Sequence, residues 1–263
     1  MKIAKTAIIA EGASIAEGVE IGEFCIIGEG VKIAQGSKLY NNVTILGNTT
    51  IGKNNTIFPY ATLGTVPQDL KYNGEPVELI IGDNNTIREH CMFNPGTAGG
   101  ESKTIIGNDN LFMAFSHVAH DCIVGNHCIF ANNATLGGHV EVGDYVNFGG
   151  LSAAHQFVKV GDGVMVAAGS IIAQDAPPYT MVEGPRAVIR GLNRHRMRKL
   201  FSREEVDFIS RLYKRLFSGK DLITALAKAE LEADASNPHI RKICQFVLDS
   251  TRGIPLKRGA MHE

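Results

Sequence analysis

The chain has 263 residues, 44% of them hydrophobic, with 26 Lys+Arg against 27 Asp+Glu and a formal net charge of −1. That length buries a large core in one or two domains. Five scattered cysteines without a CxxC pair suit a reducing compartment better than a disulfide framework, and no apolar run approaches the ~20 residues of a membrane span. The expectation is a cytoplasmic protein, with no signal peptide because the first repeats begin at once.

The first and longest element is periodic. Every sixth residue is apolar from Ile3, Ile9 and Ile15 to Ile57 and Leu63, again at Ile81, Ile87 and Phe93, and finally from Ile106 to Ile172. Gly often follows, as in Ile21-Gly22, Ile51-Gly52 and Ile106-Gly107. Helices repeat near 3.6 residues and ordinary strands near 2, so a period of six predicts a parallel β-helix, each repeat a short strand and a corner. Two breaks interrupt it: Gly64–Ile80, which carries Gln68, Asp69 and Lys71, and Asn94–Glu101, rich in Gly. Insertions of this kind project from a solenoid wall as loops, frequently on its functional face.

Asp175-Ala176-Pro177-Pro178-Tyr179 forms a stiff exit segment, after which the pattern becomes helical. Ser202-Arg203-Glu204-Glu205 reads as a capping box. Val206, Ile209, Leu212, Tyr213, Leu216 and Phe217 form the stripe of that helix, which Ser218-Gly219 would end. A second helix is expected from Asp221 to about Ala233. A third starts at Asn237-Pro238 with Ile240, Ile243, Phe246 and Val247 inward. Two domains result, a β-helix over 1–185 and a small helical subdomain over 186–263. The charge divides with them: residues 1–185 carry 9 basic and 18 acidic residues, a balance of −9, and residues 186–263 carry 17 and 9, a balance of +8. A basic part on an acidic body points to an anionic partner or to a solvated helical surface.

The register also locates a site. With three hexapeptides per coil, residues eighteen apart stack ~4.8 Å apart in adjacent coils. Val118, Leu136 and Ala154 then share one corner, surrounded by His117, His120, His139 and His155, with His120, Gly138 and Gln156 in line. Clustered imidazoles suit either a Zn²⁺ site or a general base working near neutral pH. Asp121, next in sequence, is a candidate to fix the tautomer of His120.

The hexapeptide array, together with His117-Val118-Ala119-His120-Asp121-Cys122, Gln68-Asp69-Leu70-Lys71-Tyr72, Ala153-Ala154-His155-Gln156-Phe157 and Gln174-Asp175-Ala176-Pro177-Pro178-Tyr179, resembles the bacterial acyl-[acyl carrier protein]–UDP-N-acetylglucosamine O-acyltransferases. The likeness covers almost the whole chain. It implies a left-handed helix, whereas strand physics alone favours right-handed crossovers. It also implies a homotrimer with active sites between subunits, performing the first acylation of lipid A synthesis without metal or cofactor.

By the same resemblance His120 is the general base, Asp121 orients it, and the Gly138 N–H stabilises the oxyanion. Gln68, Asp69, Lys71, His117, His139, His155 and Gln156 bind the nucleotide sugar. Gly150 and Ala168 line the acyl groove and act as its ruler. Acyl carrier protein, an acidic partner, would meet the basic stretch containing Arg196 and Arg198. That stretch departs from the family pattern over Asn193–Lys199, which leaves several arginines as candidates for the phosphopantetheine phosphate.

Three other readings compete. A carbonic anhydrase on this fold needs an HxxxxH zinc pair, and Cys122 stands five residues after His117. A scaffold that only displays the helices leaves the QDLKY loop and the histidine cluster without a purpose. The related N-acyltransferase of the same pathway carries a uridine-binding domain before its repeats, whereas Ile3 is already in register here. Within the resemblance itself, the acceptor atom at sugar C3 can be oxygen or nitrogen.

Overall fold

The computed structural model describes residues 2–218 and 222–256. The hexapeptide rule becomes geometry as repeated two-residue strands whose second residue faces inward. Ile21, Ile27 and Ile33, for example, close three successive strands and are buried, while Glu20, Ile26 and Lys32 before them are not. The strands stack into three parallel sheets, one per face of a triangular solenoid. Leu39 pairs with Ile21 and with Ile57, eighteen residues either way, as three hexapeptides per coil require. Val118, Leu136 and Ala154, expected at a corner, are instead the inward residues of neighbouring strands; the corner is the four-residue turn after them.

The inserted loops are measured by the same pairing. Ile57 pairs with Ile87, thirty residues on, so the first loop adds twelve residues to its coil. Ile81 pairs with Ile106, twenty-five on, so the second adds seven. Both leave the turn between the second and third sheets, after Leu63 and after Phe93.

Inside, Phe112, Phe130 and Phe148 of the first sheet stack one above another at centroid distances of 4.7 and 4.9 Å, and Phe93 of the second sheet packs edge-on against Phe112 at 4.7 Å, an aromatic column that fills the solenoid. A second column is polar. Asn55 Oδ1 accepts from the Asn85 N–H at 2.9 Å, Asn85 Oδ1 from Asn110 at 3.0 Å, and Asn110 Oδ1 from Cys128 at 2.7 Å, so each coil's buried turn is tied to the next. The five cysteines are free and buried, and desolvation pushes the thiols of Cys91, Cys122 and Cys128 up to about 12. Among the described residues no helix is long and apolar enough to cross a membrane.

After the coils the chain makes an antiparallel hairpin, Thr180–Glu183 with Val188–Leu192, that extends the first sheet. Neither it nor the short helix α1 (Arg194–Leu200) is signalled by the sequence pattern. The helix α2 (Arg203–Ser218) opens on the expected capping box, Ser202 N–H to Glu205 at 2.9 Å and Glu205 N–H to Ser202 Oγ at 3.3 Å. Then come α3 (Ile223–Ala233) and α4 (Pro238–Leu248), the latter capped by the Asn237 side chain. The expected helix limits at Gly219 and Asp221 lie outside the described residues. In α4 it is Cys244 that joins Ile240, Ile243 and Val247 in the core; Phe246 is half-buried and faces the solenoid wall beside Gly143 and Gly161. Tyr213 of α2 donates to the Pro178 carbonyl at 2.6 Å, locking the helices onto the proline exit.

Candidate active site

One corner gathers the chemistry. The turns after the second-sheet strands place Asp121, His139 and Phe157 at equivalent left-handed positions, φ 58°, 60° and 64°, so their side chains leave the wall in a vertical file. The backbone confirms the stacking of this corner: His139 N–H donates to the His120 carbonyl at 3.0 Å, and Phe157 N–H to that of Gly138 at 3.1 Å.

His120 is 6% exposed, and its Nδ1 lies 2.9 Å from Asp121 Oδ2. The Asp121 carboxylate accepts from the Thr97 N–H at 3.0 Å to each oxygen and from the Thr97 hydroxyl at 2.6 Å. Held by these donors, the carboxylate faces Nδ1 and fixes the imidazole tautomer with its proton there. Nε2 is then the basic nitrogen. It points toward the first loop, 4.0 Å from Asp69 Oδ2. His139 packs edge-on against His120 with centroids 5.1 Å apart and stacks on Phe157 at 4.4 Å. Burial holds the His139 and His117 imidazoles below the ordinary range, so both are neutral near pH 7.

Gly138 sits against the imidazole: a Cβ there would lie 2.5 Å from His120 Cε1 and 2.6 Å from Nε2. Its N–H makes no hydrogen bond among the described residues, so a donor is available beside the base. In the first loop the Lys71 N–H bonds Asp69 Oδ1 at 3.0 Å, a local turn that leaves the Lys71 side chain exposed, and Gln68 reaches Met92 Sδ at 3.1 Å.

Other candidates stand apart. His155 and Gln156 are exposed, with His155 Nδ1 3.2 Å from the Gln156 carbonyl and no bond to the His120 group. Arg196 in α1 donates to Asn147 Oδ1 at 3.2 Å and lies over the Tyr145 ring, while Arg198 is exposed. Gly150 and Ala168 occupy successive turns between the first and second sheets, a different corner from His120, with the Gly169 N–H bonded to the Gly150 carbonyl at 2.9 Å. Against Gly150 a Cβ would meet only the Asn132 carbonyl, at 3.5 Å.

His120, Asp121 and His139 also have the spacing of a metal cluster. The one oxygen that would ligate, Asp121 Oδ2, is already the shared acceptor of Thr97 and His120. An acid–base pair describes this donor set better than a cation site. Thr97, Glu75 and Phe157 were not among the sequence candidates. The second register break was the signal for Thr97, but nothing in a Gly-rich loop says which side chain turns inward.

Comparison with known proteins bears on this geometry. Residues 175–255 match the family model described as UDP N-acetylglucosamine O-acyltransferase, domain 2, and residues 103–138 match the bacterial transferase hexapeptide of six repeats. An acyl-[acyl-carrier-protein]–UDP-N-acetylglucosamine O-acyltransferase from Helicobacter pylori strain Shi470 is 60% identical over 201 residues, spanning 76% of this chain and 74% of its own. The chain belongs to the UDP-N-acetylglucosamine O-acyltransferase family. A second relative with that name, from Aliarcobacter butzleri strain RM4018, is 52% identical over 203 residues, 77% of this chain and 78% of its own. A crystal structure of a UDP-N-acetylglucosamine acyltransferase is 59% identical and superposes with a TM-score of 0.97 over 98% of this chain and 100% of that one. This chain is a left-handed parallel β-helix that superposes on that structure, with both inserted loops at the corner of His120.

Proposed function

We propose that the protein transfers a 3-hydroxyacyl group from acyl carrier protein to the 3-hydroxyl of UDP-N-acetylglucosamine, the first step of lipid A biosynthesis, with His120 as general base. The observation that carries this reading is the His120–Asp121 pair, with Nδ1 held at 2.9 Å by a buried carboxylate and Nε2 presented toward Asp69. The names of the relatives supply the substrates.

As the sugar oxygen attacks the thioester carbonyl carbon, its proton passes to His120 Nε2, and the imidazolium is stabilised by Asp121. The tetrahedral oxyanion accepts from the unengaged Gly138 N–H. Its collapse breaks the C–S bond, and the proton on Nε2 leaves with the phosphopantetheine thiol. Every step is covered by these groups, without metal or cofactor. Asp69 and Lys71 hold sugar and phosphate from the first loop, with Gln68, His117, His139, His155 and Gln156 around the nucleotide.

Arg196 and Arg198 in α1 attract the acidic carrier protein. Gly150 and Ala168 limit the acyl chain. Because they occupy another corner than His120, groove and base meet across two copies, which supports a homotrimer with sites between subunits. Use of acyl carrier protein and five reduced thiols fit a cytoplasmic enzyme. Mass spectrometry of products from paired 3-hydroxy and 3-amino UDP-sugar acceptors tests the assignment. The ester is expected from the 3-hydroxy sugar; turnover of the 3-amino acceptor alone would overturn it.

A further inference from the structure

We infer that Thr97 is a positioning residue for the transfer, selecting the Asp121 carboxylate rotation that serves His120. The inference rests on the assignment of His120 as base. The Asp121 side chain is 1% exposed, and two imidazoles compete for one of its oxygens: Oδ2 lies 2.9 Å from His120 Nδ1 and 3.9 Å from His139 Nε2. The Thr97 N–H cannot choose between rotations, because it stands 3.0 Å from Oδ1 and from Oδ2 alike. The hydroxyl breaks that symmetry by donating to Oδ2 alone, at 2.6 Å. It pins Oδ2 on the His120 side, so that Nδ1 keeps the proton and Nε2 stays basic.

The loop around Thr97 is built to hold it. Thr97 is itself buried, and its carbonyl accepts from Gly100 N–H at 3.1 Å and Ser102 N–H at 3.2 Å. Gly100 backs onto the Asp121 carboxylate so closely that a Cβ there would collide with it, which keeps water from the pair. Glu75 of the first loop accepts from the Ala98 N–H at 3.1 Å, joining the loop that carries Asp69 to the one that carries Thr97.

Thr97→Val removes the hydroxyl while keeping the shape and the N–H; Thr97→Ser restores the hydroxyl. The measurements are kcat, KM for acyl carrier protein and for UDP-N-acetylglucosamine, the ¹⁵N resonances that report the His120 tautomer, and thermal stability. Thr97→Val is expected to lower kcat about tenfold with both KM values unchanged, and to give a mixed tautomer. Thr97→Ser should restore both the rate and the single Nδ1–H tautomer. Wild-type kcat and tautomer in Thr97→Val would overturn the inference, as would a Thr97→Ser variant as slow as Thr97→Val. If Thr97→Val does not fold, Thr97→Ala takes its place with the same expected rate, tautomer and rescue. His120→Ala measured in parallel separates the two claims: if it is inactive while Thr97→Val is normal, only the role of Thr97 fails, and if it is active, the base assignment itself fails.

Discussion

Gly138 carries a tight steric condition on the base itself. Its backbone is in an ordinary region, with no positive φ, so an alanine there meets no conformational strain. The added methyl instead runs into the His120 ring at 2.5–2.6 Å and must push it aside. Gly138→Ala is expected to lower kcat on the order of 10²-fold, the effect of misplacing a reacting group by about 1 Å, while the melting temperature moves little. Steady-state kinetics alongside thermal unfolding checks the pair of outcomes; an unimpaired kcat would show that the ring has room.

The neighbouring imidazoles set a pH dependence of stability. Burial lowers the folded-state values of His117 and His139, so the unfolded chain binds those protons more tightly. Their contribution is therefore intact above the unfolded value of ~6.5 and is lost as pH falls from there through the lowered folded values. His117→Gln should show a shallower loss of melting temperature on acidification below ~6.5 than wild type, and a steeper one would contradict the burial argument.

At the scale of elements, a period of six leaves little freedom. Each apolar sixth residue has one inward position to occupy, so strand, face and stacking partner all follow from counting. The same counting puts His120, Gly138 and Gln156 in adjacent turns, which is why the centre of the site is legible in the sequence. The loops have no period, so the contact of Thr97 with Asp121 cannot be read from them. The hairpin Thr180–Glu183 with Val188–Leu192 escapes the sequence pattern because its strands take their place from the end of the first sheet, not from their own residues. In α4, Cys244 takes the core position expected of Phe246, because Ile240, Ile243, Cys244 and Val247 follow the i, i+3, i+4, i+7 stripe of one helix face and Phe246 lies off it.

The asparagine column is the element with the clearest energetic signature. The Asn85 side chain donates to the Gly107 carbonyl and accepts from the Asn110 N–H, and cutting it to alanine strands both. Asn85→Ala should destabilise the protein by about 1–3 kcal/mol in denaturant unfolding, the range for buried groups left unpaired; a shift near zero would mean that water enters the column.

The whole molecule brings its chemistry to one edge. Both loops and the His120–Asp121 pair share the corner between the second and third sheets, whereas Gly150 and Ala168 share another. Ala168 is exposed on a single chain, as a groove wall awaiting a second copy would be. Ala168→Met is expected to shift the kcat/KM series toward donors shorter by several carbons, because a packed wall accommodates added volume poorly. An unchanged length profile would place the acyl chain along another wall.

The central claim is that His120 takes the proton from the sugar. The most direct measurement is kcat of His120→Ala with acyl carrier protein and UDP-N-acetylglucosamine as substrates, at wild-type thermal stability. A loss of ~10²–10⁴-fold is expected for removal of a general base. A variant that keeps more than about a tenth of the wild-type kcat, far outside that range, would contradict the assignment.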